Sequence, residues 1–136
     1  MTLKQWRSNG WLRPHRTSPE EIENLLAIVD RDLHDAGASE ISTDWQFGIA
    51  YNAALKLCTI LVYAEGYRAT TGLQHYRTIQ AMSLILGVSF KEDVAFLDAC
   101  RKKRNIVEYD AAGMATEKEA KELRELTVLL RQTVLD

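Results

Sequence analysis

The stretch FGIAYNAALKLCTILVYA, residues 47–64, places apolar side chains on every side of a helix and leaves Lys56 as its only charge. A helix that is apolar all round has to be enclosed by neighbouring helices or by a subunit partner, because no face of it is suited to water. Ser42-Thr43-Asp44 supplies an N-cap and an acid at its start, and Gly66 stops it. Upstream, Ser18-Pro19-Glu20-Glu21 begins another helix, with Ser as N-cap, Pro at the first position and Glu21 at the capping-box position. Ile22, Leu25, Leu26, Val29, Leu33 and Ala36 then recur at three and four, one amphipathic stripe that ends at Gly37.

Downstream the period of the helix continues. Residues 73–86 carry Tyr76, Ile79, Met82 and Leu86 at helical spacing and predict a third helix, closed by Gly87. Ser89 with Glu92 and Asp93 opens a fourth, whose stripe is Phe96, Leu97, Cys100, Arg104, Val107 and Ala111. Gly113 stops it. Thr116-Glu117-Lys118-Glu119 has the form of a capping box, and Ala120, Leu123, Leu126, Leu130 and Val134 predict a fifth helix. Short loops between them imply an all-α fold, a five-helix antiparallel up-and-down bundle over residues 18–136. Residues 1–17 lack this period and contain Asn9-Gly10 and Arg13-Pro14, so they are expected to form an irregular basic arm, anchored by Trp6, Trp11 and Leu12.

Composition limits what such a bundle could be. The 136 residues suffice for one domain with one core, and 46% hydrophobic with 26% charged residues is the average of globular proteins. Cys58 and Cys100 lie far apart inside apolar patterns, without a Cys-x-x-Cys or a His at ligand spacing, and read as reduced core thiols. No Glu-x-x-His occurs, so no metal site and no cofactor is expected. The amino terminus has no apolar leader segment, and the expectation is a cytoplasmic protein without a membrane partner.

Charge is sorted along the chain although its sum is only −2. Lys4, Arg7, Arg13 and Arg16 face no acid in the first 17 residues, and Arg101-Lys102-Lys103-Arg104 is a run of cations late in the fourth helix. Any nucleic-acid partner would have to use one of these patches. Arg104 falls on an apolar stripe, and at 100° per residue Arg101, Asn105 and Glu108 share one side. Arginine offers a planar fork of donors to phosphate oxygens, and Asn both donates and accepts. The same residues would equally serve helix packing if Glu108 paired with Arg101 or Arg104.

Arg104-Asn105-Ile106-Val107-Glu108-Tyr109-Asp110 resembles the signature of HEPN domains, helical-bundle proteins in which Arg-Asn is followed by His four to six residues after the Arg. Tyr51-Asn52-Ala53-Ala54-Leu55-Lys56-Leu57, Glu65-Gly66-Tyr67-Arg68 and His75-Tyr76-Arg77-Thr78 are similar to phrases of the same family's small members. The resemblance spans about residues 18–135. It implies a homodimer with the fourth helices facing across a cleft, acting in a toxin–antitoxin or defence setting. Some members pair with a nucleotidyltransferase antitoxin, and many are metal-independent ribonucleases. It makes Arg104 the phosphate-contacting arginine and Asn105 the polar residue after it, with Arg101, Lys102 and Lys103 as further nucleic-acid contacts. Tyr109 stands where the family has His. Metal-free RNA cleavage needs a group that exchanges a proton near neutral pH, which suits His at about 6.5 and suits Tyr at about 10 poorly. The leading expectation is therefore a dimer that binds RNA or a nucleotide. An endoribonuclease toxin using Arg104, Asn105 and Tyr109, and a non-catalytic interaction module, are its alternatives.

Overall fold

Ser18 accepts a hydrogen bond from the Glu21 N–H and Pro19 fills the first helical position, so the first long helix begins where its capping residues place it. The Glu21 carboxylate does not complete the reciprocal box; it accepts from Thr17 and is bonded to His15 instead. The structure, a computed structural model, describes residues 1–109 and 111–135, and of Glu108 and Tyr109 the backbone alone. Its elements are α1 (Leu3–Ser8), β1 (Leu12–Pro14), α2 (Pro19–Ala36), α3 (Thr43–Ala64), β2 (Tyr67–Ala69), α4 (Gln74–Gln80), α5 (Met82–Ile85), α6 (Lys91–Tyr109) and α7 (Glu117–Leu135). A short 3₁₀ turn, Val88–Phe90, leads into α6.

The fold is mostly helical, as the periodicity required, with α3 at its centre. Phe47, Ala50, Tyr51, Ala53, Ala54, Leu57, Cys58, Ile60 and Val62 are all buried, and α2, α4, α6 and α7 pack around them. Length and hydropathy would also suit α3 to a membrane, yet 61% of its most apolar window is buried inside the fold, the place of a core helix. The surrounding helices of this one chain supply the enclosure that residues 47–64 demanded, so that stretch by itself no longer calls for a subunit partner.

Helix directions follow from side-chain bonds. Asn52 of α3 donates to Asp32 of α2, and Gln46 donates to the Ala38 carbonyl, so α2 and α3 are antiparallel. Arg131 of α7 is paired with Asp30, while Arg124 reaches the Leu33 carbonyl; α7 therefore also opposes α2. It follows that α3 and α7 run parallel, side by side, and the neighbours of the bundle are not all antiparallel. Asp44 fixes this arrangement at one end, where its two oxygens accept from the Gly113 and Ala115 N–H groups just ahead of α7.

Two expectations are corrected. Residues 1–17 are not irregular: Thr2 and Gln5 form a reciprocal capping box for α1, and β1 pairs antiparallel with β2, Leu12 opposite Ala69, Arg13 opposite Arg68 and Pro14 opposite Tyr67. Trp6 and Leu12 join the core, and Trp11 packs edge-on to Trp6. The third helix is not continuous over 73–86 but breaks at Ala81 into α4 and α5. Together with α1, this gives a different set of short helices around α2, α3, α6 and α7 from the expected five.

Candidate functional site

Three polar residues fall on otherwise apolar helical stripes, and the fold brings them together. Asp32 lies between Val29 and Ala36 on the inner side of α2 and is buried. Asn52 is an uncharged amide within the apolar run of α3, and Arg104 interrupts the stripe of α6. All three line one cavity of about 190 Å³, with Trp45, Gly48 and Ile49 completing its wall. The Asp32 carboxylate accepts from Asn52 Nδ2 at 2.6 Å and from Arg31 Nε at 3.0 Å, which satisfies a group that would be costly to bury alone.

Trp45 and Gly48 also border a larger cavity of about 770 Å³, formed between the start of α3, Val107 of α6 and the loop 112–115 that Asp44 pins down. The indole of Trp45 stands between the two, 61% exposed. Gly48 is a helix-interior glycine without a packing reason, since a Cβ there would meet nothing within 4 Å. Glycine in such a position costs helix stability relative to alanine. Its effect here is to leave the space between the cavities open.

On its other side Arg104 faces the α3–α4 contact. Its guanidinium carbon lies 5.8 Å from the centre of the Tyr51 ring, and the His75 ring lies 6.4 Å from the same ring. His75, at the start of α4, has its pKa lowered by partial shielding from water and by the charges of Arg104, Lys56 and Arg101. Tyr51 is 1% exposed and its hydroxyl has no hydrogen-bond partner among the described residues; burial pushes the phenol well above its ordinary value against the pull of Arg104 and Arg101. Neutral His75 and charged Arg104 thus flank one aromatic ring.

The remaining cations of the α6 run are spent on structure. Arg101 donates to Asp98 at 2.9 Å and lies 5.4 Å from the Tyr76 ring centre. Lys102, largely exposed, also reaches Asp98, at 3.5 Å. Lys103 donates to Glu119 at 2.6 Å and ties α6 to α7. Burial raises the Glu119 pKa, but the bonds from Lys103 and Thr116 outweigh it and leave the carboxyl below its ordinary value. At 100° per residue Lys102 and Lys103 turn to different sides, whereas Arg101 and Arg104, three apart, both act on Tyr51 and His75.

Asn105 is exposed and does not line the cavity that Arg104 enters. The Tyr109 and Glu108 side chains and all of Asp110 lie outside the described residues. Compared with protein-family models, with curated proteins and with solved structures, the chain matches none. Among the described residues no cluster of His, Cys, Asp and Glu could hold a metal ion. Cys58 and Cys100 are free and buried, and burial pushes both thiols up to about 12, so neither is a nucleophile at neutral pH.

Proposed function

We propose that the chain is a HEPN-like, dimeric RNA- or nucleotide-binding protein whose ligand enters the cleft shared by Trp45, Asn52 and Arg104. The observation that carries this reading is the position of Arg104, which lines a cavity together with Asp32 and Asn52, beside an exposed indole. That combination suits a nucleotide. An aromatic face stacks on a base, an amide reads its edge and a guanidinium takes a phosphate oxygen. The Arg104-Asn105 motif and its resemblance to HEPN domains point the same way, and a toxin–antitoxin or defence setting with a nucleotidyltransferase partner belongs to that resemblance.

Trp45 is also the reporter. Trp6 is buried and Trp11 is partly covered, so Trp45 is the indole most open to solvent. Titration with mononucleotides should change the intrinsic fluorescence, Trp45→Phe should abolish the change, and Arg104→Ala should weaken binding with the fold intact by circular dichroism. Unchanged affinity in Arg104→Ala would remove this reading.

A second reading, metal-independent RNA cleavage, is favoured by one observation, the neutral His75 held on the same tyrosine ring as Arg104. A base that is neutral at pH 7 beside a fixed cation is what in-line attack on a phosphodiester requires. In this reading His75 takes the part that Tyr109 is ill suited to. Cleavage of RNA in the presence of chelator, abolished in His75→Ala and kept in Tyr109→Phe, is its expected result.

A further inference from the structure

Pairing of β1 with β2 gathers cations that are far apart in the sequence. Lys4 and Arg7 come on α1, Arg13 and Arg16 on and after β1, Arg68 on β2, and Arg77 on α4, where its guanidinium lies 3.9 Å from the centre of the Trp11 ring. No acid occurs in residues 1–19 or in residues 66–91, the two segments that supply all six. Among the described residues none of the six forms an ion pair, whereas Arg101, Lys102, Lys103 and Arg131 each do. The nearby carboxylate of Glu21 is close enough to Arg68 to feel its charge, but its hydrogen bonds go to His15 and Thr17.

Two details show that this face is not arranged for its own stability. Leu12 and Ala69 are buried, so Arg13 and Arg68, opposite each other in the register, share the other face of the ribbon. Like charges directly opposite across two strands are destabilising. In addition, the Nε of Arg68 is buried with no hydrogen-bond partner among the described residues, where a donor normally finds one. The opposition of Arg13 and Arg68 would be relieved by an anion lying across the ribbon.

We propose that this ribbon face binds the phosphate backbone of a nucleic-acid strand. Five of the six cations are arginines, whose planar forks match phosphate oxygens, while lysine would serve a diffuse anionic surface as well. A membrane surface fits less well, because Leu12 and Ala69 of the ribbon and Trp6 of α1 are buried in the core and not offered to lipid. The face uses none of the residues of the Trp45–Arg104 cleft and stands independently of it.

The test is binding of a fluorescein-labelled single-stranded RNA oligonucleotide, by anisotropy, as a function of salt. Arg13→Ala/Arg16→Ala removes two exposed side chains and should weaken binding, with the slope of log K against log salt falling by about 0.7 for each phosphate that is no longer neutralised. Arg13→Lys/Arg16→Lys should keep the slope, and Lys118→Ala/Lys121→Ala, on the exposed side of α7, should change neither. A thermal melt confirms that each variant folds. No RNA binding by the unaltered protein, or equal slopes in the unaltered and alanine proteins, overturns the proposal. Loss of binding to phosphatidylserine vesicles with RNA binding retained overturns it in favour of a lipid surface. Mononucleotide titration of Trp45 in the same variants tells the two readings apart, since failure of the cleft would leave the RNA slopes unaffected.

Discussion

Arg101, Lys102 and Lys103 stand consecutively on α6 and each has a carboxylate in reach, whereas Lys4, Arg7, Arg13, Arg16, Arg68 and Arg77 are spread over the β1–β2 ribbon and its flanking segments and none forms an ion pair among the described residues. The contrast is geometric. Neighbours on a helix are turned 100° from one another, so a basic run is dispersed to α4, to solvent and to α7. Strand pairing does the opposite and sets Arg13 beside Arg68, far along the chain. Charges adjacent in the sequence are therefore the poorer guide to a basic surface in this fold: Arg101, Lys102 and Lys103 make packing contacts, and Arg104, which is not without a partner either, also lines a cavity.

The largest expected effect tests whether the β1–β2 ribbon belongs to the core. Leu12 is 2% exposed, so Leu12→Ala should cost about 2–5 kcal/mol in denaturant unfolding, the usual penalty for emptying a buried leucine site. A cost below about 1 kcal/mol would mean that β1 is laid on the surface, and the comparison would fail at its first step. Next in size is Gly48→Ala. Without a neighbour for the new Cβ, helix propensity alone should stabilise the protein by about 0.5–1 kcal/mol, while nucleotide binding at Trp45 should weaken because the methyl enters the space between the two cavities.

The sharpest contrast is one of sign. Lys103→Ala breaks the half-buried pair with Glu119 and should cost up to about 1 kcal/mol. Arg13→Ala removes one of two opposed cations and should leave stability unchanged or raise it by a few tenths of a kcal/mol. Paired thermal melts read both. Destabilisation by Arg13→Ala comparable to that of Lys103→Ala would show that the ribbon cations are structural after all.

How much of this was legible follows the range of the interactions. Ser18, Ser42 and Thr116 cap the helices they were expected to cap, because a cap is settled within four residues. The enclosure of α3 was legible from its lack of a polar face, but the choice between chain neighbours and a partner was not, since both bury the same surface. The β1–β2 ribbon was not legible, because three-residue strands have no measurable period and their pairing depends on residues 12–14 meeting 67–69. Of the site, Arg104 stands out in the sequence as a cation on an apolar stripe. Asp32 obeys the same rule, three after Val29 and four before Ala36, but is hidden among the acids of α2. Asn52 has no signal of its own beyond the family resemblance, and Trp45 none beyond its place beside a helix start.

The smallest effects separate the two regions by pH. Glu21, in the first turn of α2 beside the ribbon, has its pKa lowered from 4.5 by its bonds to His15 and Thr17. The folded chain therefore holds this carboxylate charged where the unfolded chain takes up a proton; the stabilisation is complete above pH 4.5 and is lost as pH falls through the folded pKa. His75, beside α6, has its pKa lowered from 6.5, so the fold keeps it neutral while the unfolded chain becomes charged. Stability should accordingly begin to fall already on acidification below about pH 6.5, and this slope should end once the pH is below the folded pKa. In a series of denaturant midpoints against pH, His75→Gln should flatten the upper window alone and Glu21→Gln the lower window alone. A Glu21→Gln protein whose stability near pH 6 changes slope, or a His75→Gln protein that keeps the wild-type slope there, would mean that the two ends do not titrate separately and that the contrast between them is not electrostatic.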